Sequence, residues 1–150
     1  MFVVDTNVLV YAADADAPEH GRCRALLERW RGQSGAWYLT WNVCYEFLRV
    51  VTHPRVFRRP WTGRGANDFL RVIQASPSLI MLLPTDRHHR VLSDTIAEMP
   101  DLAGNLVHDA HTAILMREHG LRRIYTRDTD FHRFPFVEPV DPLSVDEAKS

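Results

Sequence analysis

Short apolar runs alternate with amphipathic stretches from one end of this chain to the other, and that rhythm limits the folds open to it. The runs are 2–4 (FVV), 36–39 (AWYL), 79–84 (LIMLLP), 122–126 (RRIYT) and 136–140 (FVEPV). Consecutive apolar residues describe strands buried on both faces, as in a parallel sheet covered by helices. The intervening stretches have helical spacing. Residues 8–13 suit a short helix or a tight turn. A helix opening at Pro18-Glu19 and running to Trp30 turns Cys23, Leu26, Leu27 and Trp30 to one side. Residues 41–51 predict another, capped by Thr40 and ended by Pro54, with Val43, Phe47 and Val50 as its inner face. Helices over 67–76, 88–99 and 104–119 complete the set, the last stopped by Gly120. Pro139 removes a backbone donor and assigns the last strand to an edge. With no repeat and no low-complexity linker, residues 1–150 read as one three-layer α/β domain with helices on both faces of the sheet.

The exclusions are brief. Net charge is −1, so no global basic field announces a nucleic-acid partner. No apolar run reaches membrane-spanning length, and no basic region precedes the first apolar stretch, so neither a membrane span nor a signal peptide is expected. Cys23 and Cys44 form no zinc spacing. Buried, reduced thiols are the expectation, consistent with a cytoplasmic protein. Residues 141–150 read as a short polar end segment.

The acids carry the chemistry. Parallel strands bring their C-terminal ends to one edge of a sheet, where α/β proteins hold ligands. Asp5 follows the first strand, and Asp128 and Asp130 follow the run 122–126. If those strands are neighbours, these acids share an edge. Glu46 sits on the border of the inner face of its helix, one turn after Asn42. Asp109 holds a similar border position in the second turn of the helix expected over 104–119, where the helix dipole also favours it. Asp5, Glu46, Asp109 and Asp128 together would repel one another unless protonated or balanced by a cation. A set of carboxylate oxygens suits Mg²⁺, with Mn²⁺ as a substitute, and such a site suits phosphoryl transfer.

The stretches VVDTNVLVYAAD (3–14), TWNVCYEFLRVVTHP (40–54), HDAHTAILMREHG (108–120) and YTRDTDFHRFPFVEPVDP (125–142) together resemble the PIN-domain nucleases, most closely the VapC-type toxins of bacterial toxin–antitoxin pairs. Asp5, Thr6 and Asn7 match the opening motif, and Glu46, Asp109 and Asp128 match the second, third and fourth acids. The resemblance implies an α/β/α sandwich with a central, mostly parallel sheet. It also implies Mg²⁺-dependent cleavage of structured RNA such as tRNA, a cognate antitoxin partner and a homodimer. Asp5, Asp109 and Asp128 are then expected to hold the metal and Glu46 to hold the attacking water. Thr6, Asn7, Thr126 and Asp130 would orient the carboxylates, although turn and cap chemistry accounts for them as well. An Asp5→Asn protein is expected to be inactive with its fold intact. A housekeeping RNA-processing nuclease and a non-enzymatic cation-binding scaffold are the alternative functions.

Two further stretches remain open. Seventeen of the eighteen basic residues are Arg, and Arg55, Arg58, Arg59 and Arg64 lie in a span, 47–67, that contains no acid. Arg forks bind phosphates, and Phe57 or Trp61 could stack on a splayed base. Antitoxin contact or a plain solvated loop would use the same residues. His108 and His111 flank Asp109 and are expected to point away from it. Trp30, Trp41, Phe47 and Phe69 read as core or interface.

Overall fold

A computed structural model describes residues 1–144; the polar end segment from 145 onward lies outside the described residues. The elements run β1 (Val3–Val4), α1 (Thr6–Ala13), α2 (His20–Gly32), β2 (Trp37–Thr40), α3 (Trp41–Val51), α4 (Gly63–Gln74), β3 (Leu79–Leu82), α5 (His88–Glu98), α6 (Leu106–Glu118), β4 (Arg123–Tyr125), a 3-10 turn at Thr129–Arg133 and β5 (Glu138–Val140). The strands form one all-parallel sheet in the order β3-β2-β1-β4-β5.

Side-chain alternation along the strands builds the layers. In β1, Val4 turns to one face and Val3 to the other. In β4, Tyr125 follows Val4 and Ile124 follows Val3. The first face is covered by α1 to α4, the second by α5, α6 and the 3-10 turn. The sandwich therefore has two cores sharing one sheet. Trp30 of α2 anchors the first, packing at 5.0 Å on Phe2, 4.8 Å on Tyr125 and 5.9 Å on Trp37 between ring centres. Cys23 and Cys44 are buried and unpaired by disulfide there, and burial pushes both thiols up to about 11.

Several boundaries differ from the sequence reading. Residues 8–13 are helical, and α1 opens at Thr6 because the Asp5 carboxylate caps it. Helix α4 begins at Gly63, where Thr62 accepts from the Gly65 N–H at 3.1 Å. Two glycines concealed that start, and Arg64 is helical rather than part of a loop. Val51, not Val50, completes the buried face of α3. Trp41 is nearly half exposed, so it is not a core residue. Gly120 takes φ +69° after α6, a left-handed conformation that strains other residues, and Leu121 N–H closes back on the Met116 carbonyl at 2.9 Å.

A buried carboxylate outside the cluster of predicted acids fixes the connection from β3 to α5. Glu118 has a fully inaccessible side chain. It accepts from Thr85 N–H at 2.8 Å and from the Thr85 hydroxyl at 2.9 Å, and it pairs with His88. Burial pushes its carboxyl up, but these partners together hold it below the usual carboxylate range. Glu118→Ala leaves a backbone N–H and His88 without their acceptor. It should lower stability by about 1–3 kcal/mol in denaturant titration.

Candidate active site

The chain proceeds outward from β1 through β2 to β3, then returns to place β4 on the other side of β1. The crevice beyond the C-terminal ends of β1 and β4 is therefore a topological switch point. The strands that precede Asp5 and Asp128 are direct neighbours, with Val4 paired to Tyr125. A cleft of about 920 Å³ opens there, and Asp5, Glu46, Asp109, Asp128 and Asp130 all line it. The four separate stretches of sequence meet in one place.

Asp5 is buried and fully engaged. One carboxylate oxygen accepts from Thr6 N–H at 2.8 Å; the other accepts from the Thr126 hydroxyl at 2.7 Å and from Asn7 Nδ2 at 3.1 Å. Burial raises its pKa, those three donors lower it and Asp128 raises it, for a net rise. The Thr126 hydroxyl in turn accepts from Asp128 N–H at 2.9 Å, and Asn7 Oδ1 accepts from Arg127 N–H at 3.1 Å. Thr6, Asn7 and Thr126 thus tie the end of β1 to the loop after β4. This geometry changes the expectation for Asp5→Asn. An amide NH₂ at position 5 would face either the Thr6 N–H or both Asn7 Nδ2 and the Thr126 hydroxyl, all donors, so the substitution disturbs the fold as well as the charge.

Asp109, Asp128 and Asp130 form the crowded group. One oxygen from each lies within 4.8 Å of the others. Asp5 is outside this trio, and Asp130 belongs to it rather than standing behind it. Asp109 is in the first turn of α6, because the helix starts at Leu106. Burial, then Asp128, Asp5, Asp130 and Glu46, push its carboxyl up to about 7. Asp128 caps the 3-10 turn, its Oδ1 accepting from Asp130 N–H at 2.9 Å. This turn was missed because "RDTDF" reads equally as a loop. It is what swings Asp130 toward Asp109.

Glu46 projects from α3 beside Asn42, one turn earlier, and both line the cleft. Its carboxylate is gripped by Arg49, Nε donating at 3.1 Å and Nη2 at 2.6 Å. That contact holds the Glu46 carboxyl below its usual range. Arg49 was not singled out in the sequence; its spacing of three from Glu46 is the available signal. His108 also lines the cleft and helps lower Glu46.

The basic segment is less loose than its composition suggests. Phe57 is buried. Trp61 is partly buried in an aromatic cluster, 5.5 Å from Phe69, 6.2 Å from Phe47 and 6.3 Å from Phe57 between ring centres. Neither ring lines the acidic cleft, so base stacking by Phe57 is excluded as placed and Trp61 serves packing. Arg59 is bidentate to Asp16, at 2.7 and 3.1 Å, which pins the segment to the α1–α2 connection. Arg55, Arg58 and Arg64 are exposed. A second groove of about 460 Å³ lies between α1, α2 and α4, lined by Ala12, Leu27, Trp61, Phe69, Val72 and Ile73 among others.

The trio fits a hard divalent cation. Its donors are carboxylate oxygens, and after burial, the crowding of neighbouring carboxylates adds to the raised Asp109 pKa.

Residues 2–137 match the PIN domain as a family. The chain is similar to Ribonuclease VapC48 of Mycobacterium tuberculosis, with 34% identity over 140 residues covering 93% of this chain and 96% of the relative. Its fold is similar to the crystal structure of M. tuberculosis VapC20, described as a toxin that cleaves the sarcin–ricin loop. That match has a TM-score of 0.63 and 20% identity, covering 92% of this chain and 98% of the other. A toxin–antitoxin complex from Klebsiella pneumoniae contains a further likeness, with a TM-score of 0.55, 16% identity and coverage of 95% and 98%.

Proposed function

The chain belongs to the PIN-domain family, and on that footing we propose that it is a metal-dependent endoribonuclease and the toxin of a toxin–antitoxin pair. Residues 1–150 act as one nuclease domain in the cytoplasm, where RNA is met. The observation that carries this reading is the meeting of Asp109, Asp128 and Asp130 with Asp5 and Glu46 in one cleft at the switch point. Relatives named as ribonucleases support it.

Asp109, Asp128 and Asp130 would hold Mg²⁺ or Mn²⁺, with Asp5 completing the negative field from behind. When bound, the ion supplies positive charge at the reacting phosphate and makes a water more acidic. Asp5, locked by Thr6, Asn7 and Thr126, keeps the loop of Asp128 in register with β1. Glu46 accepts a proton from the attacking water. The water oxygen bonds to phosphorus as the bond to the 3′ oxygen breaks; that oxygen takes a proton from solvent as it leaves, giving a 5′-phosphate and a 3′-hydroxyl.

The test is to map new 5′ ends across total RNA after a short pulse of the protein, with Asp109→Asn as control. Discrete 5′-phosphate ends in structured RNA, tRNA or a comparable loop, are expected only with the unaltered protein. Products ending in 2′,3′-cyclic phosphate, or no new ends, would overturn the reading.

The antitoxin reading has a specific place to act. The groove between α1, α2 and α4 is mostly apolar, with Arg24, Glu28, Arg31 and Asp68 also in its lining, and Val72 is half exposed within it. It suits the apolar face of an amphipathic antitoxin helix, while an antitoxin Arg reaching the carboxylates would replace the cation. Val72→Asp should weaken a co-purified antitoxin complex by at least about tenfold and leave free RNase activity near normal. An unchanged complex affinity removes this face.

A homodimer is proposed at the sheet edge. Thr40 pairs with Leu82, so the exposed Trp41 and Leu83 emerge side by side there. For the basic segment, the remaining RNA reading narrows to Arg55, Arg58 and Arg64. Replacing Arg58 and Arg64 with Ala should lower the log–log salt slope of RNA binding by about 0.7 per lost phosphate contact. An unchanged slope would assign the segment to the partner or to solvent.

A further inference from the structure

Among the described residues lining the acidic cleft, five are Asp or Glu and one is Arg. That Arg, Arg49, spends its guanidinium fork on Glu46. We propose that Arg49 is the cleft's own contact for an RNA phosphate, parked on Glu46 in the free protein and transferred to the phosphate when RNA binds. The proposal rests on the ribonuclease reading of this site and adds a substrate-binding residue to it.

Three observations carry it. The first is position: Arg49, Glu46, Asn42 and Tyr45 of α3 all line the cleft that Asp109 and Asp128 also line. A polyanion entering the cleft passes this wall. The second is chemistry. The same planar fork that accepts a carboxylate in bidentate fashion accepts two phosphate oxygens, so no new geometry is needed for the exchange. The third is cost. The pair is only one turn apart on a helix surface, with side chains 59% and 43% exposed. An exposed pair of this kind contributes little to stability and opens readily.

A basic residue in the last turn of α3 also complements the helix dipole. That account explains a positive charge at position 49. It does not explain why the charge sits in the wall of a cleft that holds five carboxylates among neutral polar and apolar residues and His108. There it performs two tasks in sequence. In the free protein it keeps Glu46 ionised and compensates one negative charge of the cleft. With RNA present it offsets the negative phosphate and leaves the Glu46 carboxylate open to accept a proton.

Binding to a fluorescent oligoribonucleotide of mixed sequence tests this, at fixed Mg²⁺ and across several salt concentrations. The parent is the cleavage-deficient Asp109→Asn protein. On that parent, Arg49→Ala should weaken binding roughly tenfold and lower the salt slope by about 0.7. Arg49→Lys should keep the slope, since the charge remains, yet lose affinity several-fold because the fork is gone. Glu46→Gln frees Arg49 and removes one negative charge, and should tighten binding several-fold; in the Glu46→Gln/Arg49→Ala double variant only the smaller charge-only part of this gain should remain. A parent that binds RNA with affinity and slope indifferent to Arg49 overturns the proposal alone. Equal tightening by Glu46→Gln with and without Arg49 also overturns it, because Glu46 would then act only by its charge. A folded parent with no RNA affinity overturns the ribonuclease reading together with it.

Discussion

Asp109→Asn should reduce RNA cleavage by about 10³-fold or more while the protein stays folded. The substitution preserves size and removes one charge from the position that feels the most crowding: Asp128, Asp5, Asp130 and Glu46 all act on Asp109. Charge stabilisation of a transferring phosphate by a bound cation is worth several kcal/mol, and each ~1.4 kcal/mol is a factor of ten in rate. The loss should fall on kcat more than on KM. RNA binding should hold or tighten, because a negative charge leaves the cleft. Asp109→Asn is a cleaner control than Asp5→Asn, whose carboxylate also accepts from Thr6, Asn7 and Thr126. Circular dichroism and a thermal melt establish the fold, and single-turnover cleavage establishes the rate. Activity within tenfold of the unaltered protein would remove Asp109 from the chemistry and with it the trio as a metal site.

The positions of Asp5 and Asp128 were legible because strand ends are legible. An apolar run stopped by an acid marks the edge of a parallel sheet, and β1 and β4 proved to be adjacent. Glu46 and Asp109 were legible through helical phase, which places a border residue within about one position. What escaped was set by tertiary geometry. Asp130 joins Asp109 only because Asp128 caps a 3-10 turn, and "RDTDF" carries no periodicity to announce it. His108 lies in the cleft wall because the start of α6 lines the cleft, a placement that helical phase relative to Asp109 does not give. Trp61 looked available to stack on a base, but Phe47 and Phe69, from two different helices, pack against it. Glu118 gave no signal at all, since its acceptors' partners lie some thirty residues upstream at Thr85 and His88.

With chelator present, stability should fall as pH rises from about 4 to about 7, and a divalent cation should reverse the fall. Asp109 titrates near 7 in the folded protein against an ordinary value of 3.8. A raised carboxylate pKa means that the fold binds the proton more tightly than the unfolded chain does. Its stabilising contribution is therefore complete below the unfolded value and is lost as pH climbs through the folded one. Asp5, also raised by burial, adds in the same direction. Glu46 works the other way: Arg49 lowers it, so its contribution appears above its unfolded pKa and disappears in acid, but this exposed pair is weak. Because Asp109 is only partly buried, solvent screening reduces the net loss to about 1–2 kcal/mol, or a few degrees in Tm for a chain of this size. Cation binding demands the deprotonated trio, and at a hundredfold excess over Kd it stabilises by about 2.7 kcal/mol. Melting curves with chelator and with Mg²⁺ or Mn²⁺ should thus nearly coincide at pH 5 and diverge by roughly 5–10 °C at pH 8. The Asp109→Asn protein should show a flatter chelator curve and a smaller divergence. A cation effect of equal size at pH 5 and pH 8 would mean that the ion binds elsewhere, and its complete absence would leave the crowding of Asp109, Asp128 and Asp130 without the partner inferred for it.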